Sequence, residues 1–219
     1  MNVLGFDIET IPNSGMLDRL PPVEVKAGNL KDPAKIAEKE AAAKAEQLEK
    51  MALSPLYGRV CCWCAEDAAG VRFESCIEED TDAEESRVIE AALQLIGYGN
   101  RTLLTYNGNS FDVPFIYRRA VLLGIDVRKF HLPPLPAMTA RYRNDLHHDL
   151  MNIWCGTGGF EKLDNLAAAI LGDRKNEIDF HDFPEMIKTT AGREELLSYC
   201  RQDVALLVKI YLRVVGILI

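Results

Sequence analysis

A mixed α/β fold, one sheet flanked by helices, is what the order of patterns along this chain predicts. Three observations carry that expectation. Residues 3–9 read as a central strand: Leu4, Phe6 and Ile8 share one face, Val3, Gly5, Asp7 and Glu9 the other, so apolar residues begin on both sides. Residues 57–65 and 71–77 read as two more strands joined by the turn-like Glu66-Asp67-Ala68-Ala69-Gly70, a hairpin. From there onward strand and helix patterns alternate, which predicts three antiparallel strands followed by parallel additions.

Each later element has its own signal. Residues 82–97 are helical, with Val88, Ile89, Leu93, Leu95 and Ile96 available to a core; 102–106 is a fourth strand. The helix over 112–123 tolerates Pro114 because it falls in the first turn. Helices over 149–154, 161–171 and 194–215 complete the chain. With 219 residues and 48% hydrophobic content, a single domain over 1–219 is expected. One segment lies outside this plan, a helical insertion at about 23–53 rich in Ala, Glu and Lys. Pro33 suits its first turn, but Ile36, Ala43, Leu48 and Met51 make only a thin apolar stripe. It reads as a solvated helix resting on the domain, or as a lid beside the first strand.

Composition excludes several classes. No uninterrupted apolar run reaches ~18 residues and no basic-then-apolar signal opens the chain, so a cytoplasmic protein without a membrane partner is expected. The six cysteines lack the spacing of a disulfide framework. Cys61 and Cys64 form C-x2-C, but no second pair follows, and buried thiols in a strand are the expectation. A net charge of −8 is awkward for a polyanion binder. The local basic clusters are Tyr117-Arg118-Arg119, Arg141-Tyr142-Arg143 and Arg174-Lys175, each readable as phosphate contact or as solvated surface.

The chemistry lies in the acids. Asp7 and Glu9, two apart on a strand, share one face. Tyr199 and Asp203, four apart on a helix, look out from one side. Asp112 follows a strand and opens a helix, whose positive end favours an ionised carboxylate. Four carboxylates brought together repel one another unless cations sit between them, which points to a two-metal site for cutting phosphodiesters.

The ordered set D-x-E (Asp7, Glu9), N-x3-F-D (Asn107 to Phe111-Asp112) and Y-x3-D (Tyr199, Asp203) resembles the DEDD 3′–5′ exonucleases in their tyrosine-bearing, DEDDy branch. Supporting phrases are Phe6-Asp-Ile-Glu-Thr-Ile-Pro12, His147-His-Asp-Leu-Met151 and Tyr199-Cys-Arg-Gln-Asp-Val204. Closer still, the chain is similar to stand-alone predicted exonucleases related to the proofreading domain of family B DNA polymerases. The resemblance implies a ribonuclease H-like fold and two divalent cations, Mg²⁺ or Mn²⁺. It implies that Asp7 bridges them, Glu9 and Asp203 complete the first, and Asp112 holds the second. A phenol with an unperturbed pKa of about 10 is a poor base at neutral pH, so Tyr199 is better suited to orienting water.

Expected substrate contacts are Thr10, Ile11, Asn107, Asn109, Phe111, His147 and Asp149; for the last two, capping of the next helix is an equal reading. Gly156-Thr-Gly-Gly159 lacks the lysine of a phosphate loop and reads as a hinge. The function expected is exonucleolytic release of nucleoside monophosphates from single-stranded DNA 3′ ends. Trimming of RNA ends is the nearest alternative. A non-catalytic module binding a polymerase or another replication protein is a further one, against which the costly clustered charge argues.

Overall fold

The computed structural model describes residues 2–23, 32–140, 145–156, 158–174 and 178–219. Arg141, Tyr142, Arg143, Thr157, Lys175 and the first part of the 23–53 insertion lie outside the described residues. Five strands form one sheet in the order β3-β2-β1-β4-β5. They are β1 (Val3–Pro12), β2 (Gly58–Asp67), β3 (Arg72–Cys76), β4 (Thr102–Thr105) and β5 (His147–Asp149). β2 runs antiparallel to both of its neighbours, β1 and β3, while β4 joins β1 and β5 joins β4 in parallel. The mixed sheet foreseen from the sequence is therefore present.

The helices are α1 (Pro33–Ala52), α2 (Asp82–Gly97), α3 (Asp112–Leu122), α4 (Leu135–Met138), α5 (Leu150–Cys155), α6 (Leu163–Leu171), α7 (Phe183–Met186) and α8 (Thr190–Val214). Side chains cap the starts of α1, α2, α5 and α8. Thr81 Oγ1 accepts from the Glu84 amide and three acids follow in the first turn of α2, where the helix dipole favours them. Thr189 does the same for α8, through the Gly192 amide. Asp32 caps α1, with Pro33 in its first turn.

Alternation along β1 decides what each face meets. Phe6 stacks on Trp63 with ring centroids 5.8 Å apart, and the Trp63 indole donates to the Val88 carbonyl of α2 at 2.8 Å. The opposite face, carrying Gly5, Asp7 and Glu9, meets α8. A Cβ at Gly5 would come within 2.5 Å of Val208 Cγ2, so only glycine lets α8 lie this close to the strand. β2 is buried from Gly58 to Ala65, and Cys61 and Cys64 are free thiols within it, as their strand context suggested.

Two expectations change. The end of α1 is not a solvated add-on: Met51 and Ala52 are 2% and 6% exposed, and Gly58 packs against their carbonyls. The remainder of α1 is thinly apolar, as its sequence indicates. Arg119 is not a surface cation. Its guanidinium is buried and grips Glu85 (Nε–Oε1 2.8 Å), Tyr117 donates to the Pro133 carbonyl, and only Arg118 of that cluster is exposed. Burying Arg119 is tolerated because the fully buried Glu85 is also held by Arg59, which adds Asp82 at 2.9 Å. Among the described residues no helix is long and apolar enough to cross a membrane.

Candidate active site

The candidate residues collect where β1 outruns its parallel neighbour. β4 pairs with β1 only as far as Gly5↔Leu104. Beyond that point the Ile8 amide, lying between Asp7 and Glu9, is taken up by Asp112 Oδ1 at 3.2 Å. That one bond fixes the start of α3 against the acidic end of β1. On the other edge of β1 the register with β2 shifts between Glu9 and Thr10, so a bulge falls directly after the second carboxylate. Bulges of this kind end regular pairing and re-aim side chains.

Asp203 arrives from α8 and is 9% exposed; Tyr199 lies one turn before it, half-buried, with its ring edge-on to Phe183 at 6.0 Å. Electrostatics show that these groups are neighbours. The Asp7 carboxyl is pushed well above the ordinary carboxylate range, first by burial and then by Cys200, Asp112, Glu9 and Asp203. Burial also lifts Asp112, to about 7, although its own backbone amide and that of Ile8 act against the rise. Asp7, Glu9, Asp112 and Asp203 are thus brought together.

Cys200 went unread in the sequence. Its Sγ stands 3.8 Å from Asp7 Oδ2, and one ligand atom each from Asp7, Glu9 and Cys200 fall within 4.8 Å of one another. The signal was available: Cys200 precedes Asp203 by three positions, which puts both on one helix face. As a test for cations, the donor set fits. Carboxylates that raise one another's pKa are relieved by a divalent ion, and hard oxygen donors are what Mg²⁺ and Mn²⁺ take.

The substrate-contact candidates divide. Asn107 has a left-handed backbone (φ 65°), a conformation Asn tolerates. This turn lets the amides of Asn107 and Asn109 both donate to Asp149, at 3.0 and 2.9 Å. Asp149 also accepts from the Met151 and Asn152 amides at the start of α5, so its carboxylate is engaged in capping and in holding that turn. His147 is 4% exposed, with Nε2 2.7 Å from Thr105 Oγ1 and Nδ1 3.2 Å from the Met138 carbonyl. Burial pulls its pKa down to about 4, leaving a neutral ring that pins β5 to β4. Both nonetheless border a cleft of 560 Å³ shared with Asn109, Ser110 and Asn152. Thr10 is 9% and Ile11 1% exposed; Phe111 precedes α3 and packs on Phe115 at 5.4 Å.

Known proteins resemble this chain in sequence and in fold. Residues 56–217 match a family described as "Predicted 3'-5' exonuclease related to the exonuclease domain of PolB"; the match begins downstream of β1. A DNA polymerase of Pyrococcus glycovorans is 31% identical over 110 residues, covering 46% of this chain and 14% of the polymerase. DNA polymerase 1 of Pyrococcus abyssi is 28% identical over the same shares. In three dimensions the family B DNA polymerase of the hyperthermophilic archaeon Pyrobaculum calidifontis superposes with a TM-score of 0.64 at 20% identity. That superposition covers 97% of this chain and 24% of the polymerase, so the fold is shared while the chain spans only a fraction of its relatives' length.

Proposed function

The chain belongs to the family of predicted 3′–5′ exonucleases related to the exonuclease domain of family B DNA polymerases, and we propose that it hydrolyses the terminal phosphodiester of single-stranded DNA. It would release nucleoside monophosphates from the 3′ end, acting as one domain over 1–219. The observation that supports this most is the convergence of Asp7, Glu9, Asp112 and Asp203, with Tyr199 one turn away. DNA is favoured over RNA because the relatives are DNA polymerases.

Asp7, Glu9, Asp112 and Asp203 would hold two divalent cations. When bound, these ions supply activation of water at neutral pH and charge neutralisation at the phosphate and the leaving 3′ oxygen. The rest belongs to the chain. Tyr199 is too weak a base to deprotonate water near pH 7, so its hydroxyl orients the attacking water in line with the scissile bond. Phe183 fixes the plane of that ring. The Asp112 bond to the Ile8 amide keeps β1 and α3 from separating as the charge balance changes. Asn107 and Asn109, held by Asp149, form the rim over which the strand would run.

The test is one gel comparing DNA and RNA oligonucleotides labelled at either end, with and without Mn²⁺. The reading expects metal-dependent shortening of 5′-labelled DNA in single-nucleotide steps and early loss of the label from 3′-labelled DNA. Degradation of RNA alone, or internal cuts, would overturn it.

A further inference from the structure

Asp7 and Glu9 do not face oxygen donors alone. In the β1–β2 ladder Cys64 lies opposite Asp7 and Cys62 opposite Glu9, so both thiols share the α8 side of the sheet with the carboxylates. Cys76 stands opposite Cys62 on β3. Cys200 descends from α8 onto this row, its Sγ 3.7 Å from the Asp7 carbonyl and 3.8 Å from Asp7 Oδ2, within hydrogen-bonding reach of the Cys62 and Cys64 thiols. Cys62, Cys64 and Cys200 are buried and free. Asp7 and Glu9 are only half-buried and open the same spot to solvent. One sulfur and two carboxylate oxygens within 4.8 Å make a triangle that a single ion can bridge.

Mg²⁺ takes oxygen and leaves sulfur aside, whereas Zn²⁺ and Cd²⁺ combine readily with mixed thiolate and carboxylate sets. We propose that the Asp7–Glu9–Cys200 triangle, backed by Cys62 and Cys64, is a binding site for a thiophilic divalent cation such as Zn²⁺ or Cd²⁺. Binding displaces the Cys200 thiol proton to solvent and forms a metal–sulfur bond. The ion then competes with Mg²⁺ or Mn²⁺ for Asp7 and Glu9, so it inhibits hydrolysis instead of supporting it. The inference rests on the carboxylate centre being a cation site, as proposed above; the thiol is what it adds.

The experiment is a Cd²⁺ titration of chelator-stripped protein under a phosphine reductant, read as sulfur-to-cadmium charge-transfer absorption in the ultraviolet. The band should saturate at about one ion per chain. It should be lost in Cys200→Ala, and in Cys200→Ser should the alanine variant fail to fold by circular dichroism. In Asp7→Asn the affinity should fall ~10-fold or more, since a neutral amide replaces the anionic carboxylate ligand. Absence of the band in wild type would overturn the proposal. So would an undiminished band in a folded Cys200 variant, which would put the ion on Cys62, Cys64 and Cys76 without Cys200. A charge-transfer band without Mg²⁺-dependent hydrolysis would uphold the thiol site and sink the exonuclease reading. Hydrolysis without the band would sink the thiol site alone.

Discussion

Glu85 and Asp7 are both acids drawn into the fold, Asp7 only partly, and their charged neighbours are opposite in sign. Glu85, wholly buried on α2, sits between the guanidiniums of Arg59 and Arg119 and also accepts from the Val60 amide at 3.0 Å. Its charge is matched by the chain itself. The charged groups that act on Asp7 are further acids, Glu9, Asp112 and Asp203, together with the Cys200 thiol, and its carboxyl is driven upward accordingly. One centre is complete as folded and ties β2, α2 and α3 together. The other is left electrostatically unfavourable, and that is the condition under which external cations bind strongly. Clustered carboxylates that a fold does not neutralise are the more informative kind.

Breaking each centre should have opposite consequences. The largest effect is on catalysis: Asp7→Asn or Asp203→Asn should lower metal-dependent hydrolysis ~1000-fold or more in single-turnover assays, with the fold intact by circular dichroism. Next comes stability at the complete centre. Glu85→Gln takes the carboxylate from the buried Arg119 and leaves Arg59 only Asp80 and Asp82, and should cost about 3–5 kcal/mol in urea unfolding. A loss under about 1 kcal/mol would mean that water reaches the arginines. Tyr199→Phe is smaller and more selective. It should slow hydrolysis by roughly 10- to 1000-fold while leaving metal-induced stabilisation unchanged, because only one positioned hydroxyl is lost.

The difference between the centres also has a pH signature. Asp112 ionises at about 7 when folded, against about 3.9 in an unfolded chain. Below the unfolded value both states are protonated and that contribution to stability is present in full. It is lost as pH rises through the folded value, where the chain must ionise Asp112 beside Asp7. Metal-free wild type should therefore lose more Tm between about pH 5 and pH 8 than Asp112→Asn does. The smallest effect concerns α1: a short Gly/Ser linker over residues 35–47, which spares the buried Met51 and Ala52, should shift Tm by only a few degrees.

The sequence showed one of these centres far more clearly than the other. Asp7 and Glu9 on a strand and Tyr199 and Asp203 on a helix are local spacings, so periodicity alone aims them. β1, α2 and α3 were legible for the same reason, each long and strongly periodic. β5 was not, since His147-His148-Asp149 has no apolar alternation and becomes a strand only by pairing with β4. Arg59 lies 26 and Arg119 34 positions from Glu85, and no pattern links them before the chain has folded. Glu85 reads merely as one of several acids in the first turn of α2. Cys200 had the spacing to share a helix face with Asp203, but its approach to Asp7, 193 residues away, forms only on folding. The Asn107 turn likewise shows as Asn-Gly, whereas its partner Asp149 is 42 residues away.

The central claim is that Asp7, Glu9, Asp112 and Asp203 form a centre destabilised by its own charge until cations enter. It is tested most directly by thermal melting of chelator-stripped wild type and Asp7→Asn at about pH 8, without metal and then with Mn²⁺. Without metal, Asp7→Asn should melt above wild type, because one repelling charge has gone. Mn²⁺ should raise the wild-type Tm and leave most of that rise out of the variant. A metal-free variant that melts below wild type, with neither protein responding to Mn²⁺, would contradict the account.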